Sequence, residues 1–390
     1  MNTNDIVFTR YLYIKEEVRI SLLMSILNKQ NERSLFWAYE LYHSGFKEEM
    51  FHLLWTIYYD FFHTLNPSYS AYFTKKYKEW GKCDVEEDAL LIVYSLISNL
   101  VSRPYNMDVF LIRQYIKKTK KKQYDLNDIP ILVNAIQEKQ YITIYKYISC
   151  IIDSKQDNLR PIMNVIYDQL LNKTPEITQK KIDIQIQITK QNQMSIAHVL
   201  LANVICYHTI LNGKQMGKKI YVTFDNGLVD QYRTINKEDT PIISPNTIHE
   251  RYESYNILPS ACMYNIDSGN YLSLFDITRN NPKLDVCSIY YYQWLYHASS
   301  SPIWLARIKK YNGNIVNKDK KIHFEMEEDI EAFYQEYGLE PDEQNIETRH
   351  KNIQPLEEKQ SWFDIVIEYN KNSSVSHNNA DISKLKRILY

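Results

Sequence analysis

The chain has 390 residues, long enough to bury a large core, and its 46 Lys plus Arg nearly balance 47 Asp plus Glu, so net charge neither demands nor excludes a polyanionic partner. Only 8 glycines are present, and just Gly45 and Gly81 precede Gly213, which argues against Rossmann and P-loop enzymes that cluster glycines at phosphate-binding turns. Five cysteines, Cys83, Cys150, Cys206, Cys262 and Cys287, form no CxxC pair and read as reduced, mostly buried thiols.

The first residues carry Asp5, Arg10, Lys15, Glu16 and Glu17 before any apolar run, so no signal segment is expected, and no stretch approaches the roughly 18 to 20 apolar residues of a spanning helix. Val18, Leu22, Leu23, Ile26 and Leu27 then mark a first amphipathic helix, closed by the polar turn from Asn28 to Asn31. Leu35, Ala38, Tyr39 and Tyr42 stripe a second, with Gly45 placed as a left-handed cap. Glu48 and Glu49 fall in the first turn of a third, where carboxylates favour the positive end of the helix dipole.

That third helix is the organising element. Met50, Leu54, Ile57 and Phe61 line one face, and Phe51, Trp55, Tyr58 and Phe62 line the adjoining one, so it must be covered on more than one side. Asn66-Pro67 predicts a cap and first-turn proline for a helix ending at Trp80 and Gly81. Asp84 and Glu87 have capping-box spacing ahead of the stripe Leu90, Val93, Tyr94, Ile97, Val101, which stops at Arg103-Pro104.

Further helices are predicted over Val109 to Ile116, Ile129 to Glu138, Tyr141 to Ile152, Pro161 to Leu171 and Ile196 to Leu211, each set off by a short polar turn. Alternating isoleucines at 182, 184, 186 and 188 favour a strand, with a helix face as the competing reading. After Gly213, glycine and proline become frequent and regular helix is expected to thin out. Ile220 to Phe224 and Leu228 onward read as a hairpin around Asp225-Asn226-Gly227, and 236–246 as a loop. Leu284 to His297 reads as a second aromatic helix, Ser301-Pro302 starts another, Met326 to Tyr337 forms an acidic helix, and Trp362 to Tyr369 a last strand. The expected fold class is therefore mainly α: an irregular, α-solenoid-like helical array over 1–212, a smaller mixed α+β region over 213–369, and a polar linker with a short basic amphipathic tail over 370–390.

Motifs for chemistry are sparse. NGKQMGKK at 212–219 fails as a phosphate loop because its glycines are too close and Lys219 stands where a magnesium-binding hydroxyl is needed. His249-Glu250 lacks the second histidine of a metal-binding helix, and His198 and His208 are off same-face spacing. His43, His52 and His63 stand among aromatics and read as packed or rim residues. No catalytic residue, metal ligand or cofactor is predicted. The clearest functional signal is Lys117, Lys118, Lys120, Lys121 and Lys122, five like charges in six residues, which suit a nucleic acid or other polyanion unless they form a solvated turn.

At RSLFWAYELYHSGF and FHLLWTIYYDFFHTLNP the chain resembles a group of uncharacterised proteins encoded by giant nucleocytoplasmic large DNA viruses of the mimivirus type, mainly over residues 16–80. The 33 tyrosines and the abundance of Asn, Ile and Lys are similar to proteins of such AT-rich genomes. The resemblance implies a virus-encoded protein acting in the host-cell cytoplasm, at the viral factory, or in the virion, and it transfers no site residue. Together these readings lead to a non-enzymatic scaffold or adaptor with a protein partner and no membrane span. An RNA-binding factor of viral gene expression, or an enzyme whose site is assembled from distant residues, are the alternatives.

Overall fold

The computed structural model describes residues 6–118, 124–154, 159–171, 195–211, 289 and 292–337. Within them the protein is mainly α, with thirteen α-helices and one small two-stranded antiparallel sheet towards the C-terminal part. The expectations at 182–188, 212–219, 220–228, 236–246, 249–250, 362–369 and 370–390 lie outside the described residues, as does the proposed junction at 212–213.

The helices are α1 (Lys15–Leu27), α2 (Asn31–His43), α3 (Lys47–Ile57), α4 (Tyr69–Trp80), α5 (Glu86–Ser102), α6 (Asp108–Lys118), α7 (Ile129–Gln137), α8 (Tyr141–Ser154), α9 (Leu159–Leu171), α10 (Ile196–Leu211), α11 (Trp294–Ala298), α12 (Pro302–Lys310) and α13 (Glu327–Tyr337). Strands β1 (Asn314–Val316) and β2 (Lys321–His323) pair between α12 and α13, with Ile315 opposite Ile322. Side-chain N-caps are absent from α1, α2, α4 and α7. Acidic first turns complement the dipole elsewhere: Glu48 and Glu49 in α3, Glu86 to Asp88 in α5, Glu327 to Asp329 in α13.

Two compact units share the chain, and each draws on separated stretches. The first takes its described residues from 1–50, 83–101 and 222–360. Its N-terminal segment makes a tight turn, with Thr9 N donating to Tyr13 O and Leu12 at φ +61°. Helices α1 and α2 pack as an antiparallel pair, and Tyr13 sets its ring edge-on to Trp37 at 5.1 Å. Gly45 follows α2 at φ +92°, the left-handed cap expected there, and it also lies so close to Pro302 that any Cβ would sit 2.5 Å from the proline Cβ.

A buried ion pair ties this unit together. Arg10 Nε donates to Glu40 Oε2 at 2.8 Å, both side chains are sealed from solvent, and Tyr11 N donates to the other carboxylate oxygen at 3.0 Å. Residues near 300 reach back to the same segment: Trp304 Nε1 donates to Thr9 O at 2.8 Å, Arg307 donates to Arg10 O at 3.4 Å, and His297 Nδ1 lies 3.1 Å from Ile6 O. The Arg307 guanidinium stacks over Trp304 and Tyr337, and burial brings its pKa down to about 10.

The second unit takes its described residues from 51–82 and 102–221. In it the aromatic helix behaves as its two stripes require: Leu54, Trp55, Ile57, Tyr58 and Phe61 are all buried. Trp55 stacks on Phe73 of α4, and Phe61 packs on Phe110 of α6. Beyond Ile57 the helix widens into a π-turn, Tyr58–Phe62, closed by His63 N donating to Tyr58 O at 2.8 Å. Helix α10 packs against this turn and against α6, α8 and α9.

Two local expectations are corrected. Asn66 does not cap α4, which starts at Tyr69; its Nδ2 instead donates to Phe62 O at 3.0 Å and to Pro104 O at 2.8 Å, because the end of the π-turn leaves a buried carbonyl to satisfy. Of the described cysteines, all free, Cys206 is buried but Cys83 and Cys150 are only partly so. Cys150 lies at the α8 surface beside the Tyr124 backbone, whose N donates to its sulfur at 3.3 Å.

Candidate functional site

A carboxylate in the middle of an aromatic helix has to be neutralised, because an isolated buried charge is costly. Asp60 sits in the π-turn between Tyr59 and Phe61, and the fold brings it two basic partners from helices far along the chain. Arg113 of α6 donates to both of its oxygens, at 2.6 and 2.5 Å. His198 of α10 places Nε2 2.8 Å from Asp60 Oδ1. Burial alone would push the Asp60 carboxyl up, yet the charges and hydrogen bonds of Arg113 and His198 outweigh it and hold it at about 2. Burial alone would lower Arg113, and Asp60 reverses that, so the guanidinium stays charged at any ordinary pH.

A second histidine stands one step further along the same turn. His63 Nδ1 lies 2.9 Å from the Tyr58 hydroxyl, which also stands 3.0 Å from Asn66 O, and its Nε2 lies 2.9 Å from Asn203 Oδ1 on α10. Burial, reinforced by the nearby charge of His198, pushes the imidazole down to about 4, so His63 is neutral at pH 7. The Tyr59 ring is packed between these groups, with its centroid 5.0 Å from that of His63 and 6.0 Å from that of His198.

Chemically, this arrangement holds helices together. Asp60, His63 and His198 are each under 5 % exposed, so none presents a proton or lone pair to a dissolved reactant. Further along α10, His208 pairs with the Tyr141 hydroxyl at 3.2 Å and burial brings it down to about 4. Among the described residues, no group of three or more His, Cys, Asp or Glu is disposed to hold a metal ion.

Of the residues predicted to bind a polyanion, Lys117 and Lys118 end α6, while their side chains and the whole of Lys120, Lys121 and Lys122 lie outside the described residues. His43 is packed, stacked on Tyr39, and His52 is exposed, as expected for packed and rim histidines. The grouping of Asp60 with Arg113, His198 and His63 was not anticipated. Its signal in the sequence is a lone charge inside an apolar stripe: Asp60 within YYDFF, Arg113 within VFLIRQYI, His198 within IAHVLLA.

Among the described residues the exposed large apolar side chains are Val85, Ile131, Tyr292, Ile315, Met326 and Ile330, and the last four, with Tyr292 and Met326 at 79 % and 63 % exposure, fall within the described stretch that carries the hairpin and α13. No helix among the described residues is long and apolar enough to cross a membrane. No protein-family model, curated protein or solved structure matches the chain.

Proposed function

We propose that the chain is a virus-encoded, non-enzymatic scaffold or adaptor that binds a protein partner in the infected host cell or the virion. What supports the reading is how the ionisable groups brought together by the fold are used. Asp60 with Arg113 and His198, and Arg10 with Glu40, are spent on internal pairing, and the protonation states of Asp60 and His63 are held well away from neutrality, where general acid-base work would need them. The exposed apolar side chains of the hairpin and α13 offer a surface of the opposite kind, suited to docking rather than chemistry. Binding to RNA or another polyanion is a second reading and rests on the lysine cluster.

The test uses the tagged full chain isolated from infected cells and weighed intact by native mass spectrometry. A stoichiometric protein partner should accompany the parent and be lost from the Met326→Glu, Ile330→Glu double variant, with an unchanged melting temperature. A lone parent chain, or a partner kept by the double variant, would count against the adaptor and its docking surface respectively.

A further inference from the structure

The Asp60 cluster brings two basic side chains, Arg113 and His198, to one carboxylate, with a third, His63, beside His198. Around Asp60 the π-turn contributes Tyr58 and Tyr59 and is followed by His63, α6 contributes Arg113, α8 Tyr145, α9 Tyr167, and α10 His198, Asn203 and Cys206. The phenols and the thiol are neutral below pH 7, so they supply no counter-charge. Arg113 already takes both Asp60 oxygens. His63 has only neutral partners, Tyr58 and Asn203, and its charged neighbour is the like-charged His198.

We propose that His63 and His198, both packed on the Tyr59 ring with one carboxylate to serve them, form an acid-released clasp that lets α10 part from the π-turn at mildly acidic pH. At neutral pH, uncharged His63 bridges the turn to α10 through Tyr58 and Asn203. A proton added there sets a third cation near Arg113 and His198, where the groups that act on His63 among the described residues include no anion, and parting from α10 gives the imidazole water instead.

The sign follows from linkage. His63 is held at about 4 in the closed arrangement against 6.5 when solvated, so through His63 the open form binds more protons and gains population as pH falls below 6.5, levelling off near 4, while His198, whose charge meets Asp60 only in the closed form, works the other way. Between pH 7 and pH 5 the His63 proton alone should raise the open population on the order of 20-fold. His208 stands on the same helix with a similarly lowered value, brought down by burial and by the charge of Lys139, and so needs its own control.

The experiment is hydrogen exchange of the full chain at pH 7 and pH 5, corrected for intrinsic rates and read by mass spectrometry in peptides covering 58–66 and 196–211. From pH 7 to pH 5, protection in both should fall in the parent and in His208→Gln, by about 20-fold more than any change in His63→Gln. An unchanged parent, or an equal loss in His63→Gln, overturns the clasp. Should His63→Gln fail to fold, the parent's own imidazole decides by NMR: titration of His63 near 6.5 in the folded chain overturns the proposal, and a value near 4 with acid-induced exchange upholds it.

Discussion

The indole of Trp55 lies flat on the ring of Phe73, with centroids 3.9 Å apart and planes 4° from parallel. Trp55 is also stacked near Tyr59 and edge-on to Tyr58, so it joins α3, the π-turn and α4 into one aromatic layer. Trp55→Ala should therefore cost about 3 to 5 kcal/mol, as large-to-small core substitutions do. Urea denaturation followed by circular dichroism measures it, and a cost under about 1 kcal/mol would show that the layer is peripheral.

The Arg10 and Glu40 pair sets a different expectation, because removing one partner strands the other charge in the core. Glu40→Ala should destabilise its unit by about 3 to 5 kcal/mol, whereas Arg10→Met with Glu40→Leu should recover much of that loss. Differential scanning calorimetry of the singles and the double gives the comparison. Equal losses in Glu40→Ala and the double would mean that the bond from Tyr11 N to Glu40, and not the charge pairing, is what holds the segment.

Gly45 carries two constraints that a single methyl group would test. At φ +92° an L side chain is strained, and a Cβ would meet Pro302, so Gly45→Ala should cost at least about 1 to 2 kcal/mol. Adding Pro302→Gly removes the collision and leaves the backbone strain. A thermal melt of the double that recovers only part of the loss is the expected result, and full recovery would assign the whole cost to the collision.

The lysines at 117–122 are tested by salt. If they meet a phosphate backbone, affinity for single-stranded RNA or duplex DNA should fall steeply between two salt concentrations, and changing Lys120, Lys121 and Lys122 to Gln should flatten that slope without moving the melting temperature. Fluorescence anisotropy at each salt concentration supplies the slopes. No binding by the parent, or equal slopes, would leave the cluster a solvated turn.

Much of the helical layout was legible in local signals. The stop at Asn28, the cap at Gly45, the break at Arg103-Pro104 and the span of α10 all follow from residues within a turn of the boundary they set. The aromatic stripes of α3 likewise announced their own burial. What sequence could not supply was the π-turn, because YYDFF continues the α-helical pattern and only the bond from His63 N to Tyr58 O widens it. Nor could it pair Asp60 with Arg113, 53 residues away, or His63 with Asn203, 140 residues away, since a charge in an apolar stripe says that a partner exists but not where.

The bonds from Trp304, His297 and Arg307 to the backbone of Ile6, Thr9 and Arg10 impose an order on synthesis. Residues 6, 9 and 10 are held by residues nearly 300 positions later, separations of 291, 295 and 297. At ordinary translation speeds the N-terminal turn waits roughly 15 to 60 s for its partners. Through that interval Phe8, Tyr11, Tyr13 and the Arg10 to Glu40 pair lack their finished cover, so this unit stays open while the stretch between is made, and nascent chains stalled before residue 310 should be the ones that chaperones hold.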